Sequence, residues 1–489
     1  MPRKHIVPTT AMAAVLLALG GCAAVPDLGP APQMAPPSSF AADRSLSSDA
    51  PGAWPGFDWW KDYGDPQLNT LIDEALAGSP NLSAAIARVG KAAAYAEQAN
   101  AAHLPTLDAT ASAPVSKQSY NEGIPPAFVP QGWNDTGSLK ASLGFDLDLW
   151  GKNKAAYAAA RSDVEAAQLD CEQTILTLST NIADAYADLA KLFAARAVQE
   201  RALDVREQTT RLTADRVATG LDTQAELKQA QSAVPSARAD LAATDEQIAL
   251  TRNRLAALLG KGPDRGLEIG PPTVSLATRG IPADATTDLI GRRPDIVAAR
   301  VRVEAAASRI KVARVSFYPS VNLSAAFGVQ SLGLDNLFKS GSTVGNAGPA
   351  ISLPLFHGGE LRGQYRSARA SYTEAVANYD RTVTDAYQAV ADAVASRRAL
   401  DIRLAQSSQS LRDSQAAWSI ARQRYEGGLS RYLDVLSAQE SVLQAERAVA
   451  DLKARAFTLD VALVRALGGG FSAPTAASAN TPSKEETHG

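Results

Sequence analysis

Leu143-Gly144-Phe145-Asp146-Leu147-Asp148-Leu149 alternates apolar residues with small or acidic ones, the pattern of a strand with one apolar face. A few residues later the period changes. From about 153 to 219 the chain is rich in Ala, Gln, Arg and Glu, and Gly and Pro are almost absent, which predicts a single helix. A helix of about 67 residues, rising about 1.5 Å each, reaches roughly 100 Å, more than a compact domain of this size spans. Upstream, Leu107, Ala109, Ala111, Ala113 and Val115 alternate in the same way, so a β-hairpin over about 106–149 feeds directly into the long helix.

The same arrangement occurs twice. The segment from about 153 to 260 aligns without a gap with the one 208 positions later: Arg161 meets Arg369, Asp184-Ala185 meets Asp392-Ala393, Arg216 meets Arg424, Gly220-Leu221 meets Gly428-Leu429, Ala230-Gln231 meets Ala438-Gln439, and Leu259-Gly260 meets Leu467-Gly468. Upstream the offset is 214, with Pro105-Thr106-Leu107 on Pro319-Ser320-Val321. The extra length falls in a connection holding Pro125-Pro126 and Pro130. Internal repetition of this kind means two copies of one supersecondary unit.

The first repeat is placed at 81–267, with its long helix at 153–219 and a second helix at 222–260. An equatorial linker follows at 268–294. The second repeat is 295–470, with a hairpin at about 320–356 (Val321, Leu323, Ala325, Phe327, Val329, then Ile351, Leu353, Leu355), a long helix at 361–427 and a helix at 430–468. Gly220 and Gly428 end the long helices, and Asp222 and Ser430 are the expected N-caps of the helices that return. Pro235, which has Leu443 as its counterpart, is expected to bend the first of these. Residues 22–80 precede the repeats, and a polar tail occupies 471–489.

The chain begins with an export signal. Arg3 and Lys4 precede an apolar stretch from Ala11 to Leu19, and Leu19-Gly20-Gly21-Cys22 closes it with a cysteine where cleavage would fall. A signal over 1–21 with N-acyl and S-diacylglycerol groups on Cys22 is expected, and Ala23 rather than aspartate after the cysteine favours the outer membrane. No later stretch holds 18 apolar residues, so no helix is expected to span a bilayer and any crossing must use strands of a closed barrel. Two hairpins supply four strands, whereas a membrane barrel needs about eight. Copies of the chain must therefore pool their strands.

Composition excludes several functions. A net charge of −3 over 489 residues offers no basic field for nucleic acid. Cys22 and Cys171 are the two cysteines, too few for a disulfide framework or a thiolate cluster. His5, His103, His357 and His488 are too far apart for metal-ligand spacing. Ser308-Arg309-Ile310-Lys311 fits S-x-x-K, but it sits in an expected helix without companion motifs. No enzyme activity, metal or cofactor is expected.

Several motifs, taken together and in order, carry a resemblance. They are Trp59-Trp60, Asp65-Pro66-Gln67-Leu68 with Leu71-Ile72, Arg292-Arg293-Pro294-Asp295-Ile296, Phe317-Tyr318-Pro319-Ser320, Arg424-Tyr425-Glu426-Gly427-Gly428 and Ala466-Leu467-Gly468-Gly469-Gly470. On this duplication they resemble the outer-membrane factors of tripartite efflux pumps, the TolC-like lipoproteins of OprM and NodT type. That resemblance implies a homotrimer with a 12-stranded β-barrel and a periplasmic α-helical tunnel. It further implies a passive exit duct loaded by a periplasmic adaptor and an inner-membrane transporter of resistance-nodulation-division type. A duct for type I protein secretion shares this fold and is the alternative.

The helix reversals after Gly220 and Gly428 are expected at the periplasmic tip, because the strands lie at the other end of the same helices. Glu226 and Asp434 each follow the glycine by six positions. The resemblance places acidic residues near the closed tip at these positions, Asp434 being the nearer match, and three copies would gather six carboxylates around one axis. Tyr425 matches the family's gate tyrosine. The family's nearby arginine position holds Ser430 here, with Arg431 beside it.

Overall fold

The chain's computed structural model describes residues 25–473 apart from 37–38, 41, 43, 47–50, 122, 124, 276–278 and 283–284. The expected signal, the lipid site Cys22 and the tail from 474 onward lie outside the described residues. In chain order the elements are β1 (Pro51–Gly52), α1 (Pro66–Gly78), α2 (Pro80–Ala101), β2 (Thr106–Ser112), β3 (Val115–Ser116), β4 (Asn134–Asp146), α3 (Lys152–Ala218), α4 (Gln224–Leu258) and α5 (Asp264–Leu267). They continue with β5 (Ile281–Pro282), α6 (Ala285–Arg292), α7 (Pro294–Val315), β6 (Ser320–Leu332), β7 (Thr343–Ser352), α8 (Glu360–Glu426) and α9 (Tyr432–Ala466). The duplication is exact in helix length: α3 and α8 have 67 residues each, and α4 and α9 have 35 each. Two compact units result among the described residues, one of Val89–Ala167 and Ala299–Tyr379 with residues 25–34, the other of Ala35–Arg88, Gln168–Ala298 and residues 380–473.

The first unit holds an antiparallel sheet in the order β2-β4-β6-β7, with short β3 also on β4. Register explains the alternation in sequence. Leu107, Leu143, Ala325 and Ala347 stand in one row, and Ala109, Ala141, Phe327 and Gly345 in another. Between them run polar and small rows such as Asp108, Ser142, Ala326 and Asn346. One face is therefore apolar and the other mostly polar. The apolar face is bare: Leu107 is 72%, Phe327 68% and Ile351 72% exposed. Among the described residues, both outer edges, on β2 and β7, lack a partner strand. At the end of the first hairpin the Asp148 carboxylate accepts the N–H groups of Asn153 and Lys154, each at 2.9 Å, capping α3. The N-terminal segment meets this unit where the Gly29 carbonyl accepts a hydrogen bond from Arg369.

The second unit contains the largest apolar core. Trp59, Trp60, Tyr63, Leu68, Leu71 and Ile72 pack against Ile182, Tyr186 and Leu189 of α3, Ile248 and Leu255 of α4, and Phe457, Val461 and Val464 of α9. Asp65 is buried in it. One carboxylate oxygen caps α1 through the N–H groups of Gln67 and Leu68, and the other accepts from the Tyr186 hydroxyl and the Thr273 N–H. Burial pushes the Asp65 carboxyl up, but these hydrogen bonds outweigh it and hold it below the usual range. Arg279 pins the linker by bonding Asp460 and the Trp59 carbonyl. The N-terminal segment follows α8 here too, with Ala35 N–H on the Asp380 carboxylate at 2.9 Å and Phe40 stacked on Tyr387. Pro235 does not end α4, which runs through it. Arg206 of α3 reaches the Ala233 carbonyl beside it.

Candidate functional site

Both reversals are built alike. Gly220 and Gly428 take φ of 75° and 71°, and Leu221 N–H and Leu429 N–H reach back to the Arg216 and Arg424 carbonyls at 2.8 and 2.7 Å. This is a glycine-closed helix end. No atom crowds a Cβ at either glycine, so the left-handed backbone alone calls for glycine there.

The helix starts differ from expectation. Thr223, not Asp222, caps α4: its hydroxyl accepts the Glu226 N–H, and the Glu226 carboxylate accepts the Thr223 N–H at 2.7 Å. The start of α9 is Arg431, not Ser430, and its N–H donates to the Asp434 carboxylate at 3.2 Å. Ser430 instead donates to the Ala421 carbonyl. Glu226 and Asp434 thus occupy the same third helical position of α4 and α9. Asp434 and Arg431 are exposed and Glu226 is half-buried.

Released from capping, Asp222 joins a network with Tyr425. The Tyr425 hydroxyl donates to the Asp222 carboxylate. Arg216 donates to the same carboxylate at 2.9 and 3.3 Å and to the Tyr425 carbonyl at 2.8 Å. Its guanidinium lies 4.3 Å from the centre of the Tyr425 ring, and Thr213 lies 3.2 Å from the Tyr425 hydroxyl. The Arg216 and Asp222 side chains are only 10% and 6% exposed. Tyr425 is fully buried, against Ala230, Tyr432 and Val435. Burial pushes the Asp222 carboxyl up, but hydrogen bonds from Arg216 and Tyr425 prevail and hold it below the usual range. Burial, then the bond to Asp222, pushes the Tyr425 phenol up to about 12.

The structure therefore brings Tyr425 together with Asp222 and Arg216, and it keeps Asp434, Glu226 and Arg431 out of that network. Sequence reasoning passed over Asp222 and Arg216 as gate residues. Two signals pointed to them: Thr223-x-x-Glu226 is a capping-box pattern, and the Asp222 counterpart is Ser430, so the acid is not a repeated helix-start device. Among the described residues no group of His, Cys, Asp and Glu side chains gathers as a metal site would require. No helix among them is long and apolar enough to cross a membrane.

Comparison with known proteins matches this architecture. The family model described as "Outer membrane efflux protein" matches residues 71–261 and 286–469. The chain is 37% identical over 369 residues to the fusaric acid resistance protein FusA of Burkholderia cepacia, covering 74% of this chain and 69% of that protein. It is 31% identical over 466 residues to the multidrug resistance outer membrane protein MdtP of Escherichia coli O6:H1, covering 93% and 94%. Among solved structures, the outer membrane protein VceC of Vibrio cholerae superposes with a TM-score of 0.82 at 46% identity, over 86% of this chain and all of that one.

Proposed function

The chain belongs to the outer membrane efflux protein family, and from that premise we propose how its parts work as the exit duct of a tripartite pump. It is an outer-membrane efflux channel that extends into the periplasm. The sheet carries the reading: four paired strands with one bare apolar face and two open edges suit a wall shared between copies in lipid. Three copies pool twelve strands into one barrel. The 67-residue helices continue as the tunnel wall. A periplasmic adaptor and an inner-membrane transporter, of resistance-nodulation-division type, deliver the cargo. The names of FusA and MdtP refer to resistance against small toxic compounds, which favours small molecules over polypeptides as that cargo. Deleting the gene should raise susceptibility to such compounds several-fold and leave polypeptide secretion intact. The opposite pattern would overturn this reading in favour of type I secretion.

Cys22 is the lipidated residue, carrying N-acyl and S-diacylglycerol groups. Cys22→Ser should abolish fatty-acid labelling while membrane association persists through the barrel. Labelling that survives the substitution would rule out this site.

Tyr425, Asp222 and Arg216 lock the tip within each protomer. Asp434 and Glu226, from three copies, ring the axis with carboxylates, and Arg431 sits beside Asp434 as a counter-charge. A carboxylate ring attracts cations and lengthens their stay. In planar bilayers the native channel should show small, cation-selective conductance blocked by multivalent cations. Asp434→Ala should weaken both selectivity and block several-fold, and Glu226→Ala should do so less because its carboxylate is engaged by Thr223. Unchanged selectivity in Asp434→Ala would reduce this acid to a helix-start residue.

A further inference from the structure

The Trp418 indole N–H of α8 and the Gln439 amide nitrogen of α9 are buried with no hydrogen-bond partner. Gln439 is only 4% exposed. Both side chains line one cavity of about 290 Å³ within the second unit, between α3, α8 and α9. Its remaining wall is mainly aliphatic, with Ala202 and Val205 from α3 and Val442 and Leu443 from α9. Exposed Gln415 and Ser419 of α8 mark its mouth. A donor held away from water without an acceptor is costly, so two of them on one cavity wall point to an occupant that brings an acceptor. Water suits the place poorly. At about 30 Å³ per molecule, roughly ten waters would fill the cavity, and most would face hydrocarbon with no partner. The volume lies at the lower end of small-molecule sites, which begin at about 300 Å³.

We propose that this cavity binds a small, uncharged, largely apolar molecule bearing a carbonyl oxygen, which accepts from Trp418 Nε1 and Gln439 Nε2 while its hydrocarbon frame packs on Val205, Val442 and Leu443. The lack of charge follows from the wall. The one guanidinium lining the cavity, Arg201, is already met by the Glu446 carboxylate at 3.7 Å, and neutral donors alone do not offset the burial of an anion. An apolar frame releases water that the aliphatic wall cannot hold by hydrogen bonds. A neighbouring cavity separates the two driving forces. It is larger, at about 530 Å³, meets the first at Arg201 and Glu446, and is lined by Ala194, Val449 and Phe457. None of its lining side chains carries a buried nitrogen or oxygen without a partner. Apolar contact alone would favour the larger cavity, whereas hydrogen bonding selects the smaller.

To test the site, the purified full-length channel in mild detergent is irradiated with benzophenone, a neutral two-ring ketone whose excited carbonyl inserts into nearby C–H bonds, and its tryptic peptides are weighed. Saturable adducts are expected on peptides 202–206 and 432–447, which hold Val205, Gln439, Val442 and Leu443. Peptides 448–453 and 456–465, which hold Val449 and Phe457 of the larger cavity, should carry at least fivefold less. Fluorenone should suppress the adducts about fivefold more effectively than fluorene, the same frame without the oxygen. That comparison uses the unaltered protein, so it does not depend on the folding of any variant. In Gln439→Leu the preference for fluorenone should shrink toward unity, and in Ser419→Trp, where an exposed position blocks the mouth, the adducts should disappear. Absence of saturable adducts on both expected peptides, equal suppression by fluorene and fluorenone, or equal labelling of the two cavities would overturn the site. So would a full fluorenone preference in Gln439→Leu.

Discussion

Asp222→Ala is expected to convert a nearly closed channel into a leaky one, with single-channel conductance rising several-fold in planar bilayers. The substitution strands the Arg216 guanidinium, whose side chain is 10% exposed, without its carboxylate. Breaking one partner of a buried pair costs about 3–5 kcal/mol. Arg216 keeps the Tyr425 carbonyl and ring, which places the loss near the lower end in each protomer. About 3 kcal/mol shifts a closed-to-open ratio roughly 100-fold. Tyr425→Phe removes one hydroxyl and leaves the ion pair, so about 1 kcal/mol and a smaller rise are expected.

The lock should also respond to pH at both extremes. Asp222 is held below its ordinary value, so its contribution is complete above about pH 4 and is lost as pH falls through the lower folded value. Tyr425 is raised to about 12. Its neutral, donating form is favoured in the closed state, so that contribution holds below about pH 10 and is lost as pH rises toward 12. Conductance should be flat from about pH 5 to 9 and rise outside that window. A native conductance in Asp222→Ala, with no rise as the unmodified channel is acidified below about pH 4, would exclude this network as the lock.

The second large effect is on assembly. Solubilised in mild detergent, the chain should be recovered as a trimer by native mass spectrometry, with no folded monomer. β2 and β7 have 7 and 10 residues, and each presents an open edge. An unpaired backbone group in hydrocarbon costs several kcal/mol, so two such edges exceed the roughly 5–15 kcal/mol that stabilises an ordinary domain. Recovery of a detergent-stable monomer with full β content would sink the pooled barrel.

Long-range order was legible where it rests on local rules. A 67-residue helix needs only sustained propensity and the absence of Gly and Pro, and the strands declared themselves by alternation, although the alternating stretch Leu143–Leu149 runs three residues past the end of β4 at Asp146. The duplication added the rest of the outline, since each half had to repeat the other. The lock was not legible in this way. Tyr425 and Asp222 lie 203 positions apart and meet only through packing of α3 on α8 and α9. A one-residue error in the cap, Asp222 for Thr223, was enough to assign the acid to the wrong task. The sheet's central pairing of β4 with β6, which joins the two halves, and the course of the N-terminal segment along α8 likewise depend on contacts distant in sequence.

With the lipid proposed on Cys22, that N-terminal segment would serve as a ruler for the membrane surface. Gly29 is tied to Arg369, nine residues into a helix that starts at Glu360, or about 14 Å along its axis. Six residues lie between Cys22 and Gly29, and even fully stretched these seven Cα–Cα steps span only about 24 Å. Acyl chains on Cys22 would therefore fix the lipid headgroups within that radius of Arg369, at the level where α8 leaves the second hairpin. Lengthening the segment between Cys22 and Gly29 should let the anchor stray from this level, whereas shortening it by about four residues would leave a tether too short to lie slack and would pull the start of α8 toward the bilayer.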